Sequence, residues 1–134
     1  MSQENVDRIR EAVEAFNRGD LEAAFTGAHP EIVWETLDIF PDAGTHRGPD
    51  EVRGFFESWQ NTFRGFRMDL EECVPIADDQ VLAAVRVGGE GAESGVEVET
   101  PLFFQLLEFR DDQLFRSRMF RTRAEALEAA GLSE

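Results

Sequence analysis

The sequence predicts an α+β domain in which helices cover the concave face of a strongly curved antiparallel or mixed sheet. Three observations carry this expectation. Two amphipathic helices open the chain, a third helix near residue 50 carries a wide aromatic stripe, and the second half alternates in the manner of a strand meander.

The first helix follows from Val6, Ile9, Val13 and Phe16, which recur at helical spacing between Asn5 and Arg18 with charged residues on the opposite side. Gly19 ends it. Asp20 then caps a short second helix carrying Leu21, Ala24 and Phe25, which Gly27 stops. The run from Ile32 to Leu37 has strand composition, and Phe40-Pro41-Asp42-Ala43-Gly44 reads as a loop. Gly48-Pro49-Asp50 starts the third helix, whose Val52, Phe55, Phe56, Trp59 and Phe63 must face the sheet.

A meander follows, with strands near 67–76, 80–88, 95–109 and 113–121. Asp78-Asp79 and Asp111-Asp112 supply its tight turns. Thr122 caps a short C-terminal helix built on Ala124, Leu127 and Ala130, and Gly131 stops it. No linker or repeat interrupts the chain, so residues 1–134 form a single domain.

Alternation sorts the faces of the long strands. Phe103, Gln105, Leu107 and Phe109 share one face, and Leu102, Phe104 and Leu106 the other. On the last strand it points Phe115, Ser117, Met119 and Arg121 inward and Arg116 and Arg118 outward, toward carboxylates across a dimer or on Glu97 and Glu99. An apolar outer face calls for a cover, and a homodimer through that face is the simplest one.

Composition excludes several classes of function. With 28 acidic against 13 basic residues the net charge is −15, the wrong sign for nucleic acid or an anionic membrane surface. No stretch has the length of a membrane span, and the N-terminal residues lack a signal-like apolar core, so a cytoplasmic location is expected. Lys and Tyr are absent, which removes Schiff-base chemistry and phenolic proton donors. One cysteine, Cys73, and two histidines, His29 and His46, are too few for a structural zinc site, and no metal or cofactor is expected. Cys73, on a strand, is read as packing, and His29, before Pro30, as a turn residue.

The order of elements, with Phe16-Asn17-Arg18-Gly19-Asp20-Leu21, Gly48-Pro49-Asp50-Glu51-Val52 and Ala126-Leu127-Glu128-Ala129-Ala130-Gly131-Leu132, resembles the SnoaL-like branch of the nuclear transport factor 2-like superfamily. The resemblance covers almost the whole chain and implies a cone enclosing a pocket, usually in a homodimer. Its members include polyketide cyclases, ketosteroid isomerases, dehydratases, epoxide hydrolases and proteins that only bind ligands. Fold therefore leaves function open.

The catalytic sets of these relatives are not reproduced. The resemblance puts Thr36 where an isomerase carries its carboxylate base, Ala12 near the tyrosine donor, and Gln105 near the second acid, where an amide donates a hydrogen bond but no proton. The Asp-Arg-Asp arrangement of the family's epoxide hydrolases has no counterpart among the inward residues of the late strands. A cyclase needs less, because its pocket mainly orients an activated substrate. Candidates to move a proton are His46 and Glu35, with Asp38 as a further one. Trp34, Thr36, Phe55, Trp59, Phe103, Gln105, Ser117, Met119 and Arg121 are the expected lining of a pocket for a small, largely apolar molecule, with Arg121 able to clamp an anionic group. The alternative is a non-catalytic binding or dimeric interaction module.

Overall fold

Apolar periodicity becomes architecture in the computed structural model, which describes residues 2–37 and 44–132. The described elements are α1 (Ser2–Asn17), α2 (Leu21–Ala24), β1 (Ala28–Glu35), β2 (Thr45–Arg47), α3 (Gly48–Thr62), β3 (Phe63–Ala77), β4 (Gln80–Gly91), β5 (Glu97–Glu99), β6 (Phe103–Arg110), β7 (Gln113–Phe120) and α4 (Arg123–Ala129). The expected loop at 40–43 and Asp38 lie outside the described residues.

The strands form one mixed, curved but unclosed sheet in the order β2-β1-β7-β6-β4-β3, with β5 beside β4. All pairings are antiparallel except β1 with β7, where Trp34 lies opposite Ser117. The α+β architecture is the one the helix and strand periodicities predict, and the cone shape is the one the family resemblance implies.

Helix ends follow the capping residues. Gly19 adopts φ +83, a left-handed conformation that costs glycine little and breaks α1 from α2. The Asp20 carboxylate accepts from the Ala23 N–H at 3.0 Å, and Thr122 and Glu125 form a reciprocal capping box at the start of α4. Asp111 and Asp112, both with positive φ, make the two-residue turn between β6 and β7.

Two departures have plain causes. The strand expected over 95–109 is broken into β5 and β6, with Pro101, which has no N–H to give a ladder, between them. A bulge opposite Glu108 and Phe109 then pairs Arg116 with Glu108 but Leu114 with Phe109. Phe115 is the extra residue, so Leu114 rather than Phe115 packs on the core, and Phe115 sits against His29 and the Arg110 guanidinium.

The main core lies between the helices and the concave face. Val6, Ile9 and Phe16 of α1 and Val52, Phe55, Phe56 and Trp59 of α3 close over Val81, Ala83, Val85, Phe103 and Leu107. Phe56 is central, meeting Phe16 at 5.1 Å, Trp34 at 5.2 Å and Phe25 at 5.4 Å. Side chains of this size each contribute about 1.5–3 kcal/mol by leaving water. Asn17 fastens α1 to β3 by donating to the Met68 carbonyl at 2.9 Å and accepting from the Met68 N–H at 2.7 Å.

The outer face has its own cover. Leu82, Ala84 and Leu106 are buried there, on the side opposite Ala83 and Gln105. The α4 helix rests on β6 and β7 with Ala126 buried, and Arg123 reaches both Glu72 and the Phe104 ring. Arg116 and Arg118 do face outward, but they pair with Glu35 and Glu108 on neighbouring strands rather than with Glu97 or Glu99.

Candidate functional site

The concave face keeps a small space where α1, α2 and the sheet meet around Phe56. The space has a volume of about 60 Å³ and is bounded by Ile9, Val13 and Phe16 of α1, Phe25 after α2, Trp34 of β1, Met68 and Leu70 of β3, and Gln105 and Leu107 of β6. Ala12 and Ala24 also border it, and their short side chains leave the room that a leucine would fill.

Only two of the bordering residues carry polar side-chain atoms, Trp34 and Gln105. Gln105 is 3% exposed and donates from Nε2 to the fully buried Ser117 Oγ at 3.1 Å. The Trp34 indole N–H is buried and has no hydrogen-bond partner among the described residues. Such a group costs about 1–3 kcal/mol when left unsatisfied.

A larger groove adjoins this space on the side of α2. Its volume is about 400 Å³, and it shares Ile9, Ala12, Ala24, Phe25 and Leu114 with the inner cavity. Arg8, Glu11 and Arg18 stand along the groove. Arg8 lies 3.9 Å from Glu4, and Arg18 lies 3.9 Å from Asp20.

The remaining sequence candidates are dispersed. Phe55, Phe103, Ser117 and Met119 are buried around the cavity rather than along its wall. Trp59 borders a separate groove of about 220 Å³ with Phe63 and Phe66, where a side chain at Gly89 would press on the Phe66 backbone. Thr36 stands beyond the end of β1, and its hydroxyl accepts from the Gly44 N–H at 2.9 Å. Arg121 is exposed, because β7 ends at Phe120 and the alternation that would turn it inward stops there.

The two proton-transfer candidates are apart from the cavity wall. Glu35 is on the outer face, where its carboxylate accepts from Arg116 Nε at 2.9 Å and Nη2 at 2.7 Å. His46, on β2, packs its ring on Phe55 at 4.7 Å. His29 accepts from the Glu31 N–H through Nδ1 at 2.9 Å, a local turn contact. Burial raises the Cys73 thiol above its ordinary pKa, opposed by the charge of Arg10, which makes it a packing group and a poor nucleophile. Among the described residues no cluster of three His, Cys, Asp or Glu side chains is placed to hold a metal ion, and no helix is long and apolar enough to cross a membrane.

Apart from Trp34 and Gln105, the residues bordering this space were expected as core or were not singled out, Ala12, Ala24 and Leu114 among them. The two alanines carried a signal, since each is a small residue within an inward apolar stripe. Leu114 did not, because the bulge that turns it inward leaves no local mark.

Residues 9–117 match the family model of the SnoaL-like domain. The chain belongs to the SnoaL-like domain family. Solved structures place this SnoaL-like domain among nuclear transport factor 2-like folds. An NTF2-like protein from Burkholderia thailandensis has a TM-score of 0.76 at 23% identity, with 95% of each chain covered. A protein of ketosteroid isomerase-like fold from Catenulispora acidiphila, solved with trimethylamine, gives 0.74 at 14% identity over 94% of this chain and 93% of that one. TerC, co-crystallised with polyporic acid, gives 0.74 at 19% identity over 92% and 95%. No curated protein matches the SnoaL-like domain described here.

Proposed function

We propose that this domain binds a small, largely apolar molecule at the concave cavity and its adjoining groove, without acid–base catalysis by the residues that wall it. The observation that carries this reading is the wall itself. Among the described residues, the inner cavity is bordered by apolar side chains and by Gln105, with no carboxylate or imidazole. Ordinary ligand sites share this character, with few polar groups set in an apolar surface, although they span about 300–1,000 Å³. The inner space alone is smaller than that, so the adjoining groove has to take most of the molecule.

Two relatives in fold were solved with small molecules, trimethylamine in one and polyporic acid in the other, which supports a binding role without naming the ligand here. A cyclase-type or isomerase-type reaction through His46 or Glu35 has less support, since one packs on Phe55 and the other is bound to Arg116 on the far face.

The test is saturable binding of an uncharged apolar dye such as Nile red, with Ala12→Phe as the blocking variant. Ala12 borders both spaces, so the variant should abolish binding while keeping the native circular dichroism spectrum. Undiminished binding in a folded Ala12→Phe protein overturns the assignment.

Pairing of two copies through the outer face belongs to the same proposal. It is motivated by the partly buried cross-strand pair of Phe104 and Phe120 beside the ion pairs of that face. Sedimentation should show a dimer that Phe120→Glu dissociates, and a monomeric wild-type protein at micromolar concentration removes this part.

A further inference from the structure

We propose that Asn17 guards the free edge of the sheet: its carboxamide takes the place of a neighbouring strand at Met68 and so keeps β3 from pairing with the β3 of a second copy of this chain. This role is independent of what the cavity binds.

Among the described strands β3 ends the sheet order, with β4 as its one neighbour. A strand of 15 residues in that place presents a row of N–H and C=O groups to which another chain can add. Most of its length is spoiled for that purpose. Its register on β4 shifts between Arg64 and Arg67, between Leu70 and Glu72, and between Pro75 and Ala77, and such irregularities bend an edge away from a flat partner. Two regular stretches are left. The one from Glu72 to Pro75 ends on a residue with no N–H to give. The one from Arg67 to Leu70 has no such safeguard in its own backbone, and Asn17 sits there.

Asn17 does at Met68 what a strand would do. In an antiparallel pair, a residue of the hydrogen-bonded kind exchanges both its N–H and its C=O with the residue opposite. The Asn17 side chain accepts from the Met68 N–H at 2.7 Å and donates to the Met68 carbonyl at 2.9 Å, using the two functions that a carboxamide shares with a peptide group. Both Met68 groups therefore point away from β4. Asn17 is the last residue of α1, and Gly19, with φ +83, turns the chain just after it. The rest of α1 is held separately, by Val6, Ile9 and Phe16 in the core and by buried Asn5, which donates to the Asp78 carbonyl at 3.2 Å. Losing the Asn17 bonds frees the last turn and uncovers Met68 without detaching the helix.

The uncovered stretch is complementary to itself. In two copies paired antiparallel about Met68, each Met68 exchanges its two groups with the other, and Arg67 of each copy stands opposite Asp69 of the other. Opposite charges across a strand pair favour it, and like charges oppose it. The Arg67 and Asp69 side chains are both about half exposed, within reach of a second copy.

Hydrogen exchange and sedimentation test the guard. In the unaltered ¹⁵N-labelled protein the Met68 amide should exchange as slowly as the amides that join β3 to β4, although it faces the free edge. Asn17→Ala should speed that exchange about tenfold, the worth of one hydrogen bond, and should form species larger than the wild-type protein forms at the same concentration. Adding Asp69→Arg to Asn17→Ala sets like charges opposite each other and should abolish those species. Adding Arg67→Asp as well restores opposite charges and should bring them back.

Fast exchange of Met68 in the unaltered protein overturns the guard, and that measurement needs no variant to fold. A folded Asn17→Ala protein of wild-type size overturns it as well. Large species indifferent to the charge changes are general aggregation and overturn the pairing through β3.

Discussion

Glu35 and Arg116 pair diagonally across β1 and β7 on the outer side of the sheet, with two guanidinium nitrogens donating to one carboxylate oxygen. Both side chains keep about a third of their surface in water, at 35% and 37% exposure, so the pair has the modest worth of a screened ion pair. Glu35→Gln should lower unfolding free energy by about 1 kcal/mol or less and leave ligand affinity unchanged. Urea denaturation and dye titration read the two effects. A loss of ligand binding with intact stability would return Glu35 to the site.

Phe56 sits where α1, α3 and β1 converge, touching Phe16, Phe25, Trp34 and Phe55. Removing its ring leaves a void that the surrounding aromatics cannot close without leaving their own contacts. Phe56→Ala should cost about 3–5 kcal/mol in chemical denaturation. A cost under about 1 kcal/mol would mean that the helices do not pack on the sheet through this residue.

Gln105 and Ser117 are both buried and hydrogen-bond across β6 and β7. Ser117→Ala strands the Gln105 amide, for a predicted loss of about 1–3 kcal/mol. Gln105→Leu with Ser117→Ala removes both polar groups, and the double variant should recover part of that loss. Strict additivity of the two single changes would show that the hydrogen bond contributes little.

Cys73 is buried with its thiol pKa raised by loss of solvent. Iodoacetamide should modify it slower in the native protein than in urea by a factor on the order of a hundred or more. The sign of the pH effect follows from the same shift. The folded state holds the thiol proton more tightly, so this contribution to stability is complete below the thiol's ordinary pKa and is lost as pH rises through the folded-state value. Cys73→Ala should flatten the alkaline side of the stability profile, and an unchanged slope would place its origin elsewhere.

The fold was legible because its signals are local. Apolar stripes at 6, 9, 13 and 16 and at 52, 55, 56 and 59, the caps at Asp20 and Thr122, and the Asp111-Asp112 turn each act within a few residues. The site was less legible because cavity walls are assembled from distant segments. Trp34 and Gln105 were among the expected residues and do meet at one cavity. Glu35 was offered by its place on the first strand and turned away by strand register, since its neighbour Trp34 took the inner side. Phe115 and Arg121 show two limits of alternation, one reset by a bulge and the other cut off by the end of a strand.

The parallel pairing of β1 with β7 bears on how the chain is made. A ribosome delivers β1 early, yet one of its two strand neighbours arrives only after residue 113, and α1 must wait for β3 and β4. Until then Ile32 and Trp34 have no sheet to lie in. A nascent chain halted before β7 should therefore be open to protease along most of its length, and protection should arrive late and nearly at once. The aromatic helices of the first half are in that sense a debt of exposed surface that the last strand settles.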